Sequence, residues 1–584
     1  MKRNVMIFGL LLVICVCWGV EAFAAYHHEG ESDSDNFLTA YPSKLGTKLD
    51  SCNLCHKGGE YVNEKDKLVY GGSCQYCHGT YGYDGHGDIE ATLNAYGVAY
   101  KVSYGVNGRN ATAVKAINTA DSDEDGYTNA AEIAANTYPG NADDYPGLTQ
   151  APYRIYTMGQ LEALGAHTQF MLMNTSRSGD FYAEYTGVPM RTLLDDAGIL
   201  EGATGIWVYA PDGWGQTHPL DYVEDVEYYH VYGNMPGESY QYPPATYYWD
   251  EMADIALNPD SGWCDYSAPS CTGRSPGSSI AVSGGLKAIL AYKREGAYMD
   301  AGVLNDENSL DGEGPFRVVV PQKDPNAPDQ SSKSGDQDVK WPYVEAWDHN
   351  AGSCSRSATI IKVEPLPEGM TDIDIYEAGW AYVDQKKIIV YGAIDGTDSN
   401  GNGILDSEEG TDATKDFDGD GTPDYQDSDT ASVRHPNGVE NVLLHTSDGN
   451  LAAVSCVADD DPSVPQTGKP DQTFPYGLNK FQITDLTPGA TVTLQIQFPA
   501  AVPTTAKYYK VNALGTWIEV PFGSNDGDAL ISLTLTDGDA ATDGDNAADG
   551  TITDPGGIAT LSTSDSSESS SSSDDNFCFI SSMF

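Results

Sequence analysis

Two short segments constrain this chain more than anything else in it: Cys52-Asn53-Leu54-Cys55-His56 and Cys74-Gln75-Tyr76-Cys77-His78. Each places two thiols three positions apart with an imidazole directly after the second. Covalent haem attachment needs this spacing. The thiols add to the two vinyl groups of one haem, and the adjacent histidine reaches the iron on one face. A zinc site would use the four cysteines and give no reason for a histidine after each pair. Cys52, Cys55, His56, Cys74, Cys77 and His78 are therefore the expected attachment residues for two c-type haems. Each iron still needs a sixth ligand. No methionine occurs between Met6 and Met158, so this segment cannot supply a thioether. The local candidates are His27, His28 and His86. Pairing His86 with one iron and His28 (or His27) with the other gives bis-histidine haems with no vacant position, which suits electron transfer over catalysis.

The N-terminus supplies an address. Lys2 and Arg3 precede an apolar run, Val5 to Val20, and Ala22-Phe23-Ala24 matches a small-x-small cleavage site. Residues 1–24 read as a secretory signal. The run is short for a membrane anchor, and no later segment of the mature chain is long and apolar enough to span a bilayer. The expected location is periplasmic, outer-surface or extracellular. Lys+Arg number 31 against 86 Asp+Glu, a net charge of −55, which argues against nucleic acid or anionic lipid as a partner. It suits a chain that binds divalent cations.

Three segments fit such binding. Asp121, Asp123, Asp125, Tyr127, Asn129 and Glu132 fall at positions 1, 3, 5, 7, 9 and 12 of an EF-hand-like loop, with Gly126 at position 6 where the sharp turn demands it. Tyr127 would offer its backbone carbonyl. An apolar-periodic stretch precedes the loop and Ile133 follows it, as in helix-loop-helix. Asp398, Asn400, Asn402, Ile404, Asp406 and Glu409 repeat the pattern around Gly403. Asp416, Asp418, Asp420, Thr422, Asp424 and Asp427 repeat it again around Gly421. Hard oxygen donors of this kind favour calcium. The nearly contiguous second and third copies resemble thrombospondin type 3 repeats, which implies a structural role. Residues 537–549 are acidic and glycine-containing but break the spacing, and read as a turn region.

Residues 151–393 mix helix and strand. Met158–Leu164 and Pro189–Ala197 read as helices. Gly205–Ala210, Phe316–Val320, Ala358–Val363 and Lys387–Gly392 read as strands. Tyr185-Thr186-Gly187-Val188-Pro189-Met190, then Leu193 to Gly198, Ile206 to Gly213 and Gly314 to Pro321 occur in an order that resembles the molybdopterin-binding domain of sulfite-oxidase-like enzymes. That family ligates molybdenum through an early cysteine. The comparable stretch here, residues 171–177, has none, which argues against bound molybdopterin. Cys264 and Cys271 bracket a loop that a local disulfide would close, and Cys354 and Cys456 could pair across domains. Gly312-Glu313-Gly314-Pro315, behind two C-x-x-C-H motifs, resembles the GEGP-motif diheme proteins of metal-reducing bacteria, which implies an exported multidomain cytochrome.

Thr491–Phe498 and Leu530–Thr536 alternate apolar and polar residues between turn signals, the pattern of an all-β sandwich. Phe474 to Gly477, Tyr508-Tyr509-Lys510, Trp517 and Asp554 to Gly557 resemble the choice-of-anchor domain, which implies attachment of a following tail to the envelope. Ser562 to Asp575 is a Ser/Asp/Glu spacer that cannot bury a core, and Cys578 beyond it reads equally as an attachment point or an unpaired thiol.

The expected organisation is a signal over 1–24, a small mainly α diheme region with its EF-hand-like loop over 25–150, and an α+β molybdopterin-binding-like domain over 151–393. Calcium-binding acidic repeats follow over 394–432, then an all-β sandwich over 433–560 and a tail over 561–584. The expected function is electron transfer to a redox protein or an extracellular acceptor. The alternatives are a sulfite-oxidase-like oxidoreductase that feeds the haems and a calcium-stabilised surface adhesion or structural protein.

Overall fold

The computed structural model describes residues 32–45, 47–57, 59–62, 68–71, 93–175, 179–211, 215–222, 228–235, 237–242, 264–304, 310–324, 328, 348–374, 379–512 and 514–561. The signal, His27, His28, the second C-x-x-C-H motif, His86 and the Ser/Asp tail lie outside the described residues. The chain divides into two compact units, one ending at Gly396 and one beginning at Thr397.

The expectation of a small, mainly α diheme region is overturned. Strand makes up 32% of the structure and helix 17%, with eight helices among the described residues. Between the two C-x-x-C-H motifs, Gly59–Val62 pairs antiparallel with Leu68–Gly71. These segments carry Tyr61, Val62, Val69 and Tyr70 between terminal glycines, and β-branched and aromatic side chains favour a pleated ladder over a helix. Helices flank this hairpin at Ser32–Ala40, Ala95–Asn107, Ala111–Ala116 and Asn129–Ala135. Phe37, Leu49, Leu54, Tyr96, Tyr100, Val114 and Ile133 form their shared core.

Contacts from Asn94 and the helix Ala95–Asn107 fix the first C-x-x-C-H motif. Cys52–Leu54 makes a single 3-10 turn, which brings positions 52 and 55 one turn apart. Asn94 caps the following helix through Gly97 N (2.9 Å). Its amide also donates to the carbonyls of Asn53 and Leu54, each at 3.0 Å, and its N–H donates to Cys55 O at 2.9 Å. The same helix lays Gly97 directly on the Cys55 carbonyl, where a Cβ has no room.

The rest of the first unit holds two five-stranded sheets. His167–Met173, Phe181–Pro189, Ile289–Arg294 and Ala297–Tyr298 pair in that order, with Arg317–Val319 on Ile289–Ala291, all antiparallel. Tyr153–Thr157, Lys387–Gly392, Ile360–Glu364, Gly205–Tyr209 and Gly215–Pro219 form the other. Its one parallel pair, Ile360–Val363 with Ile389–Gly392, is bridged by the helix Gly379–Gln385. A buried lysine ties the N-terminal region to the short strand Met370–Thr371, which pairs with Thr149–Gln150: Lys48 Nζ lies 3.0 Å from Asp144 Oδ2 and also donates to Thr371 Oγ1.

The second unit is built on two antiparallel five-stranded sheets. One orders Thr430–Arg434, Asn441–Thr446, Thr491–Gln497, Leu530–Thr536 and Phe522–Gly523. The other orders Asn450–Val457, Leu478–Thr484, Ile552–Ala559, Lys507–Val511 and Trp517–Val520. Their inward residues, among them Val442, Leu444, Leu494 and Leu533 from one sheet and Phe481, Ile483 and Tyr508 from the other, share one apolar core. No helix among the described residues is long and apolar enough to cross a membrane.

Two glycines of one helix should respond to the same substitution with opposite sign. Gly97→Ala should destabilise by about 1–3 kcal/mol, because the added methyl meets the Cys55 carbonyl. Gly105→Ala, with open space around it, should stabilise by about 0.5–1 kcal/mol through helix propensity. Chemical unfolding of both variants checks this, and equal effects would contradict the close packing of helix and haem motif.

Candidate metal centres

The three acidic loops fold to one pattern, held by three hydrogen bonds that recur in each. The position-6 glycine donates to the position-1 carboxylate at 3.0 Å: Gly126 to Asp121, Gly403 to Asp398, Gly421 to Asp416. The position-7 N–H donates to the position-5 side chain: Tyr127 to Asp125 (2.8 Å), Ile404 to Asn402 (2.8 Å), Thr422 to Asp420 (2.7 Å). The position-2 N–H donates to the position-9 side chain: Ser122 to Asn129 (3.2 Å), Ser399 to Asp406 (2.7 Å), Phe417 to Asp424 (2.7 Å). The glycines have φ of 101°, 94° and 101°, a left-handed conformation that side chains resist. Position 9 thus braces the loop in all three copies and can reach an ion only with oxygen capacity left over or through water.

In the first loop the carboxylates converge with several of their oxygens left unpaired. Asp121, Asp123 and Asp125 each bring an oxygen within 4.8 Å of the others. Glu132, on the helix Asn129–Ala135, is fully buried. Both its oxygens, both of Asp123 and Oδ2 of Asp125 are buried with no hydrogen-bond partner. Burial, then repulsion from Asp123 and Asp125, pushes the Glu132 carboxyl up to about 9. Burial and Asp125 raise Asp123 as well. Five buried acceptor oxygens facing one another with no donor is the arrangement a hard cation resolves.

The second loop differs in its polar bonds. Glu409, nearly buried, accepts from Asn402 Nδ2 (2.8 Å) and Ser432 N (2.8 Å), and burial pushes it up to about 7. Asn402 O accepts from Val454 N at 2.9 Å, and the Ile404 side chain enters the apolar core between the sheets. This loop is therefore built onto the sandwich. In the third loop Asp416, Asp418 and Asp420 gather their oxygens within 4.8 Å, and burial, followed by repulsion from Asp429 and Asp420, raises Asp427.

Sequence reasoning missed one group beside the third loop. His445 Nδ1 lies 3.2 Å from Asp429 Oδ1 and 4.0 Å from Asp418 Oδ2. The signal was present. In the strand Asn441–Thr446, Val442, Leu444 and Thr446 face inward, so His445 faces out, opposite Thr430 in the ladder.

At the first haem motif, Cys55 and His56 are both half-buried. His56 leaves the turn in an antiparallel bridge with Leu93. Cys55 forms no disulfide, and its turn with the following histidine would suit haem attachment. Molybdenum fits poorly. Met171 and Met173 of the expected ligand stretch are buried strand residues. Cys264, Cys271 and Cys354 are thiols, so the expected Cys264–Cys271 bridge is not formed and Cys354 does not pair with Cys456. Burial raises all three, Cys354 to about 11, which opposes a thiolate ligand. Glu313 of the GEGP segment binds Arg294 (2.6 Å) and Arg317 (3.0 Å), a structural tie. No protein-family model matches the chain, and no curated protein matches it.

The Glu132 environment sets a pH dependence. Its folded value of about 9 lies above the ordinary 4.5, so the folded state holds this proton more tightly than the unfolded state. In chelator, Glu132's contribution to stability should therefore be greatest below about pH 4.5 and fall as pH rises toward 9. Glu132→Gln should flatten that slope, and millimolar calcium should remove it for the parent chain. Melting temperatures against pH, with and without calcium, check this; a Glu132→Gln slope equal to the parent's contradicts it.

Proposed function

We propose that this chain is an exported diheme c-type cytochrome that carries electrons at the cell envelope or surface, with calcium neutralising its acidic loops. The pair of C-x-x-C-H motifs carries the reading. Cys52, Cys55 and His56 would hold one haem, and Cys74, Cys77 and His78 the other, with His86 and His28 (or His27) completing the iron coordination. The haem irons supply reversible one-electron chemistry. The chain's own part is to bind them, to order the first attachment turn through Asn94 and Gly97, and to exclude solvent with the tyrosine-rich helical core.

The loops support the calcium part: buried carboxylate oxygens face one another with no donor. The charge of −55 favours encounter with a cationic redox partner or a positively charged extracellular acceptor. The C-terminal sandwich and the Ser/Asp tail would tether the carrier to the envelope. The lack of a cysteine in residues 171–177, and the burial that raises the thiols of Cys264, Cys271 and Cys354 elsewhere in the domain, count against the oxidoreductase alternative.

Metal analysis of the purified mature chain, read together with its reduced and oxidised visible spectra, tests the proposal. Two irons per chain, no molybdenum and low-spin six-coordinate bands in both states are expected. Molybdenum near one per chain would overturn the electron-carrier reading, and high-spin bands would overturn the bis-histidine ligation.

A further inference from the structure

Around the first acidic repeat of the C-terminal unit, the polar atoms outnumber what hydrogen bonding can serve. Asn400 Nδ2 lies 3.2 Å from Asp427 O, 3.3 Å from Asp424 O, 3.3 Å from Glu409 Oε2 and 3.4 Å from Thr430 O. An amide nitrogen carries two N–H groups, so four acceptors are twice what it can satisfy. All four distances also exceed the usual 2.9–3.0 Å of an N–H···O bond. Asn402 Nδ2, fully buried, donates to the other Glu409 oxygen at 2.8 Å and so fixes that carboxylate in place. Three of the four oxygens around Asn400 are backbone carbonyls outside its own loop. Asp424 and Asp427 belong to the next repeat, and Thr430 opens the first strand of the sandwich.

The distances indicate what such a cage suits. Calcium holds its ligands at 2.3–2.6 Å, so neighbouring ligands of an octahedral shell stand about 3.3–3.7 Å apart, the radius times √2. The 3.2–3.4 Å contacts of the Asn400 amide match the short end of that edge. A half-turn of the carboxamide places Oδ1 where Nδ2 stands, exchanging the long Nδ2 contacts for an ion shared with the same oxygens and giving up the 3.1 Å bond from Asn402 N. The other two loops carry Asp123 and Asp418 at this position, and a carboxylate can face the ion and the backbone at once.

We infer that the calcium ion of the first repeat is held by Asn400 Oδ1, Glu409 and the carbonyl oxygens of Asp424, Asp427 and Thr430, and so joins both repeats to the first strand of the sandwich. The inference rests on the reading that these repeats bind calcium. Its sphere contains one carboxylate and four neutral oxygens, which makes this a site of modest affinity suited to calcium-rich surroundings. Water fills the positions the protein leaves open. Loss of the ion frees residues 424–434 as well as the loop that carries Glu409, so the two repeats load and empty together.

The test uses the full chain with Asn400→Asp and Glu409→Gln. Calcium binding is followed by equilibrium dialysis, and backbone order by hydrogen exchange with and without calcium. A ligand at position 400 gains charge in Asn400→Asp, and calcium binding should tighten several-fold. An amide that only donates hydrogen bonds would instead become a carboxylate set against four oxygens. The variant would then melt lower than the parent even in saturating calcium, which overturns the inference. Calcium should slow exchange across 424–434 in the parent and not in Glu409→Gln; protection confined to 398–409 overturns the shared site while leaving calcium binding intact. A parent chain that binds no calcium at all sinks the underlying reading and this one with it.

Discussion

Carboxylates that face one another away from water need a cation, and much of this structure is arranged around that requirement. In the first loop five buried oxygens of Asp123, Asp125 and Glu132 have no donor. Several of the loop's N–H groups are spent on other atoms: Gly126 on Asp121, Tyr127 on Asp125 Oδ1, Ser122 on Asn129. The same three bonds recur in the other two loops. They fix the shape of the turn and leave its interior negative. On the proposed reading an ion would complete each loop without having to build it, and the chain's charge of −55 would overstate what the loaded protein presents to a partner.

The second and third loops extend that logic into a β-sheet. Ile404 buries in the sandwich core while its neighbours Asn402 and Glu409 turn polar atoms toward Thr430 and Ser432. The repeats and the first strand of the sandwich thus share hydrogen bonds. The first loop has a parallel role in the other unit. Glu132 and Ile133 share a short helix whose apolar side joins the core around Leu54 and Tyr96, next to the first haem motif. The first two acidic loops are thus braced against the elements they serve, each by one isoleucine in an apolar core, Ile133 or Ile404, and one buried carboxylate, Glu132 or Glu409.

Local spacing made part of this legible in the sequence. Glycine at position 6 with oxygens at 1, 3, 5 and 12 is a strictly local pattern, and the loops at 121, 398 and 416 follow it residue for residue. Alternation in Thr491–Gln497 and Leu530–Thr536 is local too, and the two strands pair throughout in register. What escaped was non-local or masked by a stronger signal. The hairpin at Gly59–Val62 and Leu68–Gly71 sits between haem motifs, whose association with helices outweighed its Tyr and Val content. The parallel pair bridged by Gly379–Gln385 depends on contacts far apart in the chain. His445 and Asp429 meet Asp418 only through the ladder that sets Thr430 opposite His445. The carbonyls of Asp424, Asp427 and Thr430 have no side-chain signature at all.

Electron transfer in this account depends on the thioether chemistry of the two C-x-x-C-H motifs, of which Cys55 and His56 are set by the Asn94 cap and the Gly97 contact. Intact-mass spectrometry of the mature chain under denaturing conditions tests that dependence most directly. The account predicts a chain heavier by two haems, falling to one in Cys52→Ala/Cys55→Ala and to one in Cys74→Ala/Cys77→Ala. A chain that keeps the mass of its amino acids alone, from a host able to attach haem, would contradict it.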